Sequence, residues 1–95
     1  MTDFATSTDR LLNQVRHWEQ PRWAGRADPF FELVQLLADL AADAEGRPHR
    51  AVPRVNDMVL PDQLRVVADD LLAASPSPSV LAAALAAVDG VRARS

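Results

Sequence analysis

An all-α fold is what this chain predicts, and three observations carry the prediction. Leu, Val and Ala supply most of the apolar content while Ile and Tyr are missing, so residues that favour sheet are scarce. Apolar side chains recur at three- and four-residue spacing in four separate stretches. Prolines punctuate the ends of those stretches. The architecture that follows is a small four-helix bundle with a long extended loop between its second and third helices. Helices are expected near 8–19, 29–45, 61–74 and 78–91, with the loop at 47–60. Ninety-five residues, 48% of them apolar, suffice for a single helical domain, 1–95, with one core.

The first helix is expected to start at Ser7 or Thr8, either of which serves as an N-cap, and to stop near Glu19 ahead of Pro21. Leu11, Leu12, Val15 and Trp18 form its narrow apolar stripe, and Trp23 lies in the connector that follows. The second helix is the best marked. Asp28 suits its N-cap, Pro29 its first turn and Gly46 a left-handed residue at its end. Phe30, Leu33, Val34, Leu37, Leu40, Ala41 and Ala44 keep helical spacing between them. The third helix opens near Pro61 and buries Leu64, Val67, Ala68, Leu71 and Leu72. The fourth begins at Pro78 with Ser77 as cap and frays past Gly90. The loop RPHRAVPRVNDMVL is too apolar for a free linker, so Val52, Val55, Met58 and Val59 are expected to pack down as a strap across the core.

From Ser79 to Val88 no residue carries charge. Leu81, Ala84, Leu85 and Val88 make one stripe, and Ala82, Ala83, Ala86 and Ala87 fill the opposite side with methyl groups. A helix without a polar face sits deep in its own fold or lies against a second chain. Ala83 and Ala87 are therefore candidates for a homodimer contact, since alanine lets helices approach closely.

Charge is laid out in blocks within a net charge of −3. Arg10, Arg16, Arg22 and Arg26 oppose only Glu19; Asp28, Glu32, Asp39, Asp43 and Glu45 follow with no base among them. Arg47, Arg50 and Arg54 come next without an acid, and then Asp57, Asp62, Asp69 and Asp70 against Arg65. The plainer reading is an internal exchange, basic segments folded against the acidic helices. The sharper one leaves Trp23, Arg47, His49, Arg50 and Arg54 as a surface for an acidic peptide or a phosphate. All ten basic residues are Arg, which with the abundant Ala and Asp reads as the codon bias of a GC-rich genome.

No chemistry stands out. Absent cysteines exclude a disulfide framework and a thiolate nucleophile. His17 and His49 lack metal-ligand spacing, and Asp39 with Asp43 reads as a solvated pair, so no metal or other cofactor is expected. No GxSxG occurs, and Gly25, Gly46 and Gly90 stand too far apart for a phosphate loop. Nucleic acid is an unlikely partner, because the third helix is acidic and the fourth uncharged; the Arg-rich segment with His17, Trp18 and Trp23 is the one place that would serve it. Asp3 and Asp9 argue against a secretory signal, and SPSPS interrupts the longest uncharged run, so a cytoplasmic protein without a membrane span is expected.

The segments DRLLNQVRHW and AVPRVNDMVLPDQLRVVADDLLAA, with a Pro-started helix between them, resemble small helical conserved proteins of actinobacteria. The resemblance covers most of the chain, implies a helical cytosolic protein and transfers no active-site residue. The expected role is thus a non-enzymatic interaction or regulatory module, homodimeric through its last helix. The alternative is a nucleic-acid-associated or anion-binding regulator that uses the N-terminal Arg/Trp segment and the Arg47–Arg54 loop.

Overall fold

A computed structural model describes residues 3–94, and every regular element among them is helical: α1 (Phe4–Val15), α2 (Gln20–Trp23), α3 (Ala27–Ala44), α4 (Leu60–Ala73) and α5 (Pro78–Arg94), with a 3-10 turn at Asp57–Val59. Helix α1 begins earlier than the Ser7 or Thr8 cap expected of it. The Asp3 carboxylate accepts the Thr6 N–H at 2.8 Å, which settles the first turn and docks Phe4 in the core. Ser7 and Thr8 are instead buried inside the helix. The far end is also corrected: α1 stops at Val15, and Trp18 reaches the core from the turn beyond. Pro21, read as a stop, opens the single turn α2, where its missing N–H costs nothing.

Asp28 is not the cap of α3 but a residue of its first turn, since the helix starts at Ala27 after Arg26. At the other end Gly46 takes φ +68°. The Arg47 N–H then returns to the Ala42 carbonyl at 2.8 Å and the Gly46 N–H to that of Asp43, a Schellman closure. Helix α4 buries Leu60, Leu64, Val67, Ala68 and Leu71, whereas Leu72, expected in that face, is 41% exposed. Helix α5 runs through Gly90 to Arg94, longer than expected, and Ser77 Oγ accepts the Val80 N–H at its start.

Helix α3 lies against α4 over the largest interface; α1 lies against α5, α5 also touches α3, and α1 touches α4. Trp23 and Phe30 are the largest fully buried side chains. The Cα atoms span 38 × 32 × 16 Å. With helix axes about 8–10 Å apart, a depth of 16 Å holds two layers, so every helix keeps a face on solvent. Helix α5 is therefore not central. It buries Ala84, Val88 and Val91 and leaves Ala82, Ala83 and Ala86 exposed.

Residues 47–56 cross from α3 to α4 as a strap. Val52 is half-buried, while Val55 (59%), three residues on and so on the other side of the extended chain, and Met58 (46%), in the 3-10 turn that follows, are exposed, contrary to the expectation that all pack down. No helix among the described residues is long and apolar enough to cross a membrane.

Candidate functional site

Three surfaces hold the residues singled out by sequence, and they differ in how far their polar groups are already paired. The strap is the most saturated. Gln35 on α3 holds it by main-chain atoms alone: its Nε2 donates to the Arg50 carbonyl at 3.0 Å and its Oε1 accepts the Val52 N–H at 2.8 Å. Gln63 on α4 adds a bond to the Pro53 carbonyl. The basic side chains then turn back onto α3. Arg47 pairs with Glu45 at 3.0 Å, and Arg54 pairs with Asp28 at 2.8 Å while its guanidinium lies 4.7 Å from the Phe31 ring centre.

His49 Nε2 lies 2.7 Å from Asp43, with Asp39 at 3.8 Å from Nδ1. The Asp43 hydrogen bond holds the imidazole above its ordinary value of 6.5. The carboxylates Asp39 and Asp43 thus share an imidazole. Among the described residues Arg50 makes no ion pair, and it lines the hollow under the strap together with Asp70. Of the strap's candidate cations, then, Arg47, His49 and Arg54 are occupied by acids of the same molecule. These pairs are exposed and contribute little stability, but they leave few donors for a partner.

The second surface is the outer side of α5. Ala83 is exposed and Ala87 half-buried. Ala87 and Val91 share a groove with Leu33 and Leu36 of α3, and Leu36 is 40% exposed. Glu32 and Arg94 stand in the same groove without forming an ion pair among the described residues. Gly90 belongs to the outward ridge with Ala82 and Ala86, and nothing lies within 4 Å of the position a Cβ would take there.

The third surface surrounds the end of α1. Trp23, a candidate for the interaction surface, is 1% exposed and wedged edge-on between Trp18, 4.9 Å away, and Phe30, 5.1 Å away, packed where the chain turns into α3. The indole is too large and apolar to stay outside when the turn into α3 gives it a slot. Trp18 is buried in the core, as its place in the apolar stripe predicts, and its outer edge floors a cleft of about 710 Å³ beside Gln14, His17, Glu19 and Pro21. Arg22 and Arg26 hang over its ring, their guanidinium carbons 5.4 and 5.8 Å from the ring centre. Neither pairs with a carboxylate among the described residues, and Arg16 contacts only His17, at 3.3 Å.

Gln14 also lines a notch of about 320 Å³ between α1 and α5, with Ser7, Asp89 and Arg92. Ser7 Oγ and Arg92 Nε are buried there without a hydrogen-bond partner. A buried polar group left unpaired costs about 1–3 kcal/mol, so this notch is a place of unmet demand. Sequence reasoning found Arg22 and Arg26 but not Ser7, Gln14 or Arg92, which converge from opposite ends of the chain and carry no local signal.

Comparison of the chain with protein-family models, with curated proteins and with solved structures finds no match in any of the three.

Proposed function

We propose that the protein is a non-enzymatic helical interaction module, a four-helix bundle closed by its strap, that self-associates through the outer face of α5 and the α3–α5 groove. The observation that carries this reading is the uncharged run from Ser79 to Val88, which keeps Ala82, Ala83 and Ala86 exposed even after α5 has docked. Three further features support it. Leu36 extends the methyl surface onto α3. Gly90, within a helix, weakens it by roughly 0.5–1 kcal/mol relative to alanine, with no neighbour that requires its small size. A second helix approaching closely would require it. Finally, Glu32 and Arg94 are of opposite sign and form no ion pair among the described residues, and a two-fold axis through the groove brings Glu32 of one copy against Arg94 of the other.

The test is the mass in solution. Light scattering at protein concentrations up to about 1 mM, where an association of about 4 kcal/mol populates the complex, is expected to give twice the single-chain mass. Ala83→Glu, at an exposed site that tolerates glutamate in a helix, returns the single-chain mass. Glu32→Arg and Arg94→Glu each weaken association, and the double reversal restores it. A single-chain mass throughout that range ends the reading.

A second reading, an anion-binding regulator, is favoured by the Trp18 cleft, where Arg22 and Arg26 stand without acid partners.

A further inference from the structure

We propose that the valine-lined hollow between α4 and the strap docks a short amphipathic helix of a partner protein, its aliphatic side chains on Val59 and Val66 and its Lys or Arg side chains on Asp62 and Asp70. This surface is separate from the α3–α5 groove proposed for self-association and does not depend on it.

Val66 is 58% exposed, more than any other large apolar side chain in the helices of the described residues. A β-branched residue on the outside of a helix lowers helix propensity, and in water it gains nothing from packing. One such residue alone is ordinary. Val66 is not alone: it shares a hollow of about 310 Å³ with Val52, Val59 and Val67, rimmed by Asp62 and Gln63. The walls are already fastened. Gln63 Nε2 donates to the Pro53 carbonyl at 3.0 Å, and Gln35 Oε1 accepts the Val52 N–H at 2.8 Å. A hollow fixed in advance loses little freedom when it is filled. Its lining suits aliphatic side chains, which bring no polar group to be left unpaired.

Charge sets what surrounds those aliphatic groups. Asp62, Val66 and Asp70 follow at four-residue steps and so stand along one line of α4. Neither carboxylate forms an ion pair among the described residues, and Arg65, the base of the same helix, is taken by Asp9 and Asp69. Asp70 lies in the last turn, where the helix dipole disfavours an acid. Arg50 lines a hollow with Asp70 but does not pair with it. The two carboxylates are eight residues apart, about 12 Å along the axis. A partner helix with two cations at that spacing and an apolar side chain midway meets both acids and Val66 at once.

The same charges narrow the choice of occupant. This chain has no Lys, and no helix among the described residues carries two Arg at that spacing, so a second copy does not supply the complement. Asp62 and Asp70 also repel nucleic acid and an anionic membrane surface.

The probe is a hydrocarbon-stapled peptide helix of Ala and Gln, carrying a Leu stripe and two Lys eight residues apart beside it, labelled with fluorescein. Stapling is needed because short helices are marginal in water. Titrated with the full chain at low ionic strength, it is expected to bind saturably by anisotropy. Amide resonances of Val59, Val66 and Val67 shift, and those of Ala83 and Ala87 do not. Val66→Gln, at an exposed position where Gln suits a helix better than Val, leaves the melting temperature unlowered and weakens binding about tenfold. Asp62→Asn and Asp70→Asn each weaken it about threefold, and less in added salt. A peptide with Glu in place of Lys binds the unaltered chain weakly and is preferred by the Asp62→Lys, Asp70→Lys double variant. The proposal is overturned by absence of saturable binding, by equal binding of the Lys and Glu peptides, by shifts confined to α5, or by Val66→Gln binding unchanged. A solution mass that falls with Val66→Gln overturns it as well, because a second copy then covers this face. Lost peptide binding at unchanged mass supports it, and leaves self-association to be decided by Ala83→Glu.

Discussion

His49 carries the clearest pH signature at the scale of single residues. Its hydrogen bond to Asp43, reinforced by Asp39, raises the folded-state value above the ordinary 6.5. A raised value means that the pair stabilises the folded chain fully below about 6.5 and fades as pH climbs through the higher folded value. Melting temperature is therefore expected to drift down as pH rises above about 6.5, and His49→Gln to flatten that drift. An NMR titration of the His49 ring with its midpoint at or below 6.5 would contradict the contact. The same scale shows how the strap's cations are engaged. A run of Arg and His without an acid looks free in sequence, but Asp28, Asp39, Asp43 and Glu45 lie across from it on α3. The internal exchange of charge was visible in the blocks; its pairing by residue was not. The two tryptophans both pack into the core, as the apolar stripe and the turn into α3 predict. Both stand in the same short segment, and nothing local says which one finds the slot beside Phe30.

Helices were legible where capping and spacing agreed. Gly46 and Ser77 act as their chemistry dictates, and the buried faces of α3 and α4 follow the apolar spacing up to Leu72, which the end of α4 leaves at the rim. The start of α1 differs because Ser7 and Thr8 stand next to the Leu11–Trp18 stripe, whereas Asp3, an equally good cap, precedes Phe4 alone. A usable signal was present nonetheless: Phe4, Thr8, Leu11 and Val15 continue one stripe back to the true start, and all four are buried. The strap could be expected as a covering segment, but not its fastening, since Gln35 recognises main chain and leaves no trace in the side chains it holds. Gln35→Ala removes both strap bonds and is expected to cost about 1–2 kcal/mol in a urea titration. Hydrogen exchange locates the effect: the Val52 amide loses protection while amides of α1 keep theirs. Unchanged exchange at Val52 would mean that the apolar contacts of the strap alone hold it.

Thickness governs the whole molecule. A body two helices deep shelters one side of each helix, so an uncharged helix was bound to show methyl groups to water. Composition announced the helical class but could not announce this depth, which depends on how the pairs α3–α4 and α1–α5 are laid side by side. The largest of these contacts, α3 with α4, joins elements whose only covalent link is the strap and its 3-10 turn. A protease cut between the exposed residues Val55 and Asn56 is accordingly expected to leave the two pieces comigrating on a native gel and parting only in denaturant. Separation without denaturant would show that covalent continuity, not packing, keeps α4 in place.

That fastening by main-chain atoms has an engineering consequence. A length of polypeptide gripped through its carbonyls and amides can change its letters while keeping its course, so residues 47–56 are open to rewriting. Cut there, the gene becomes two halves whose products reassemble on meeting, a split pair suited to reporting when other proteins come together.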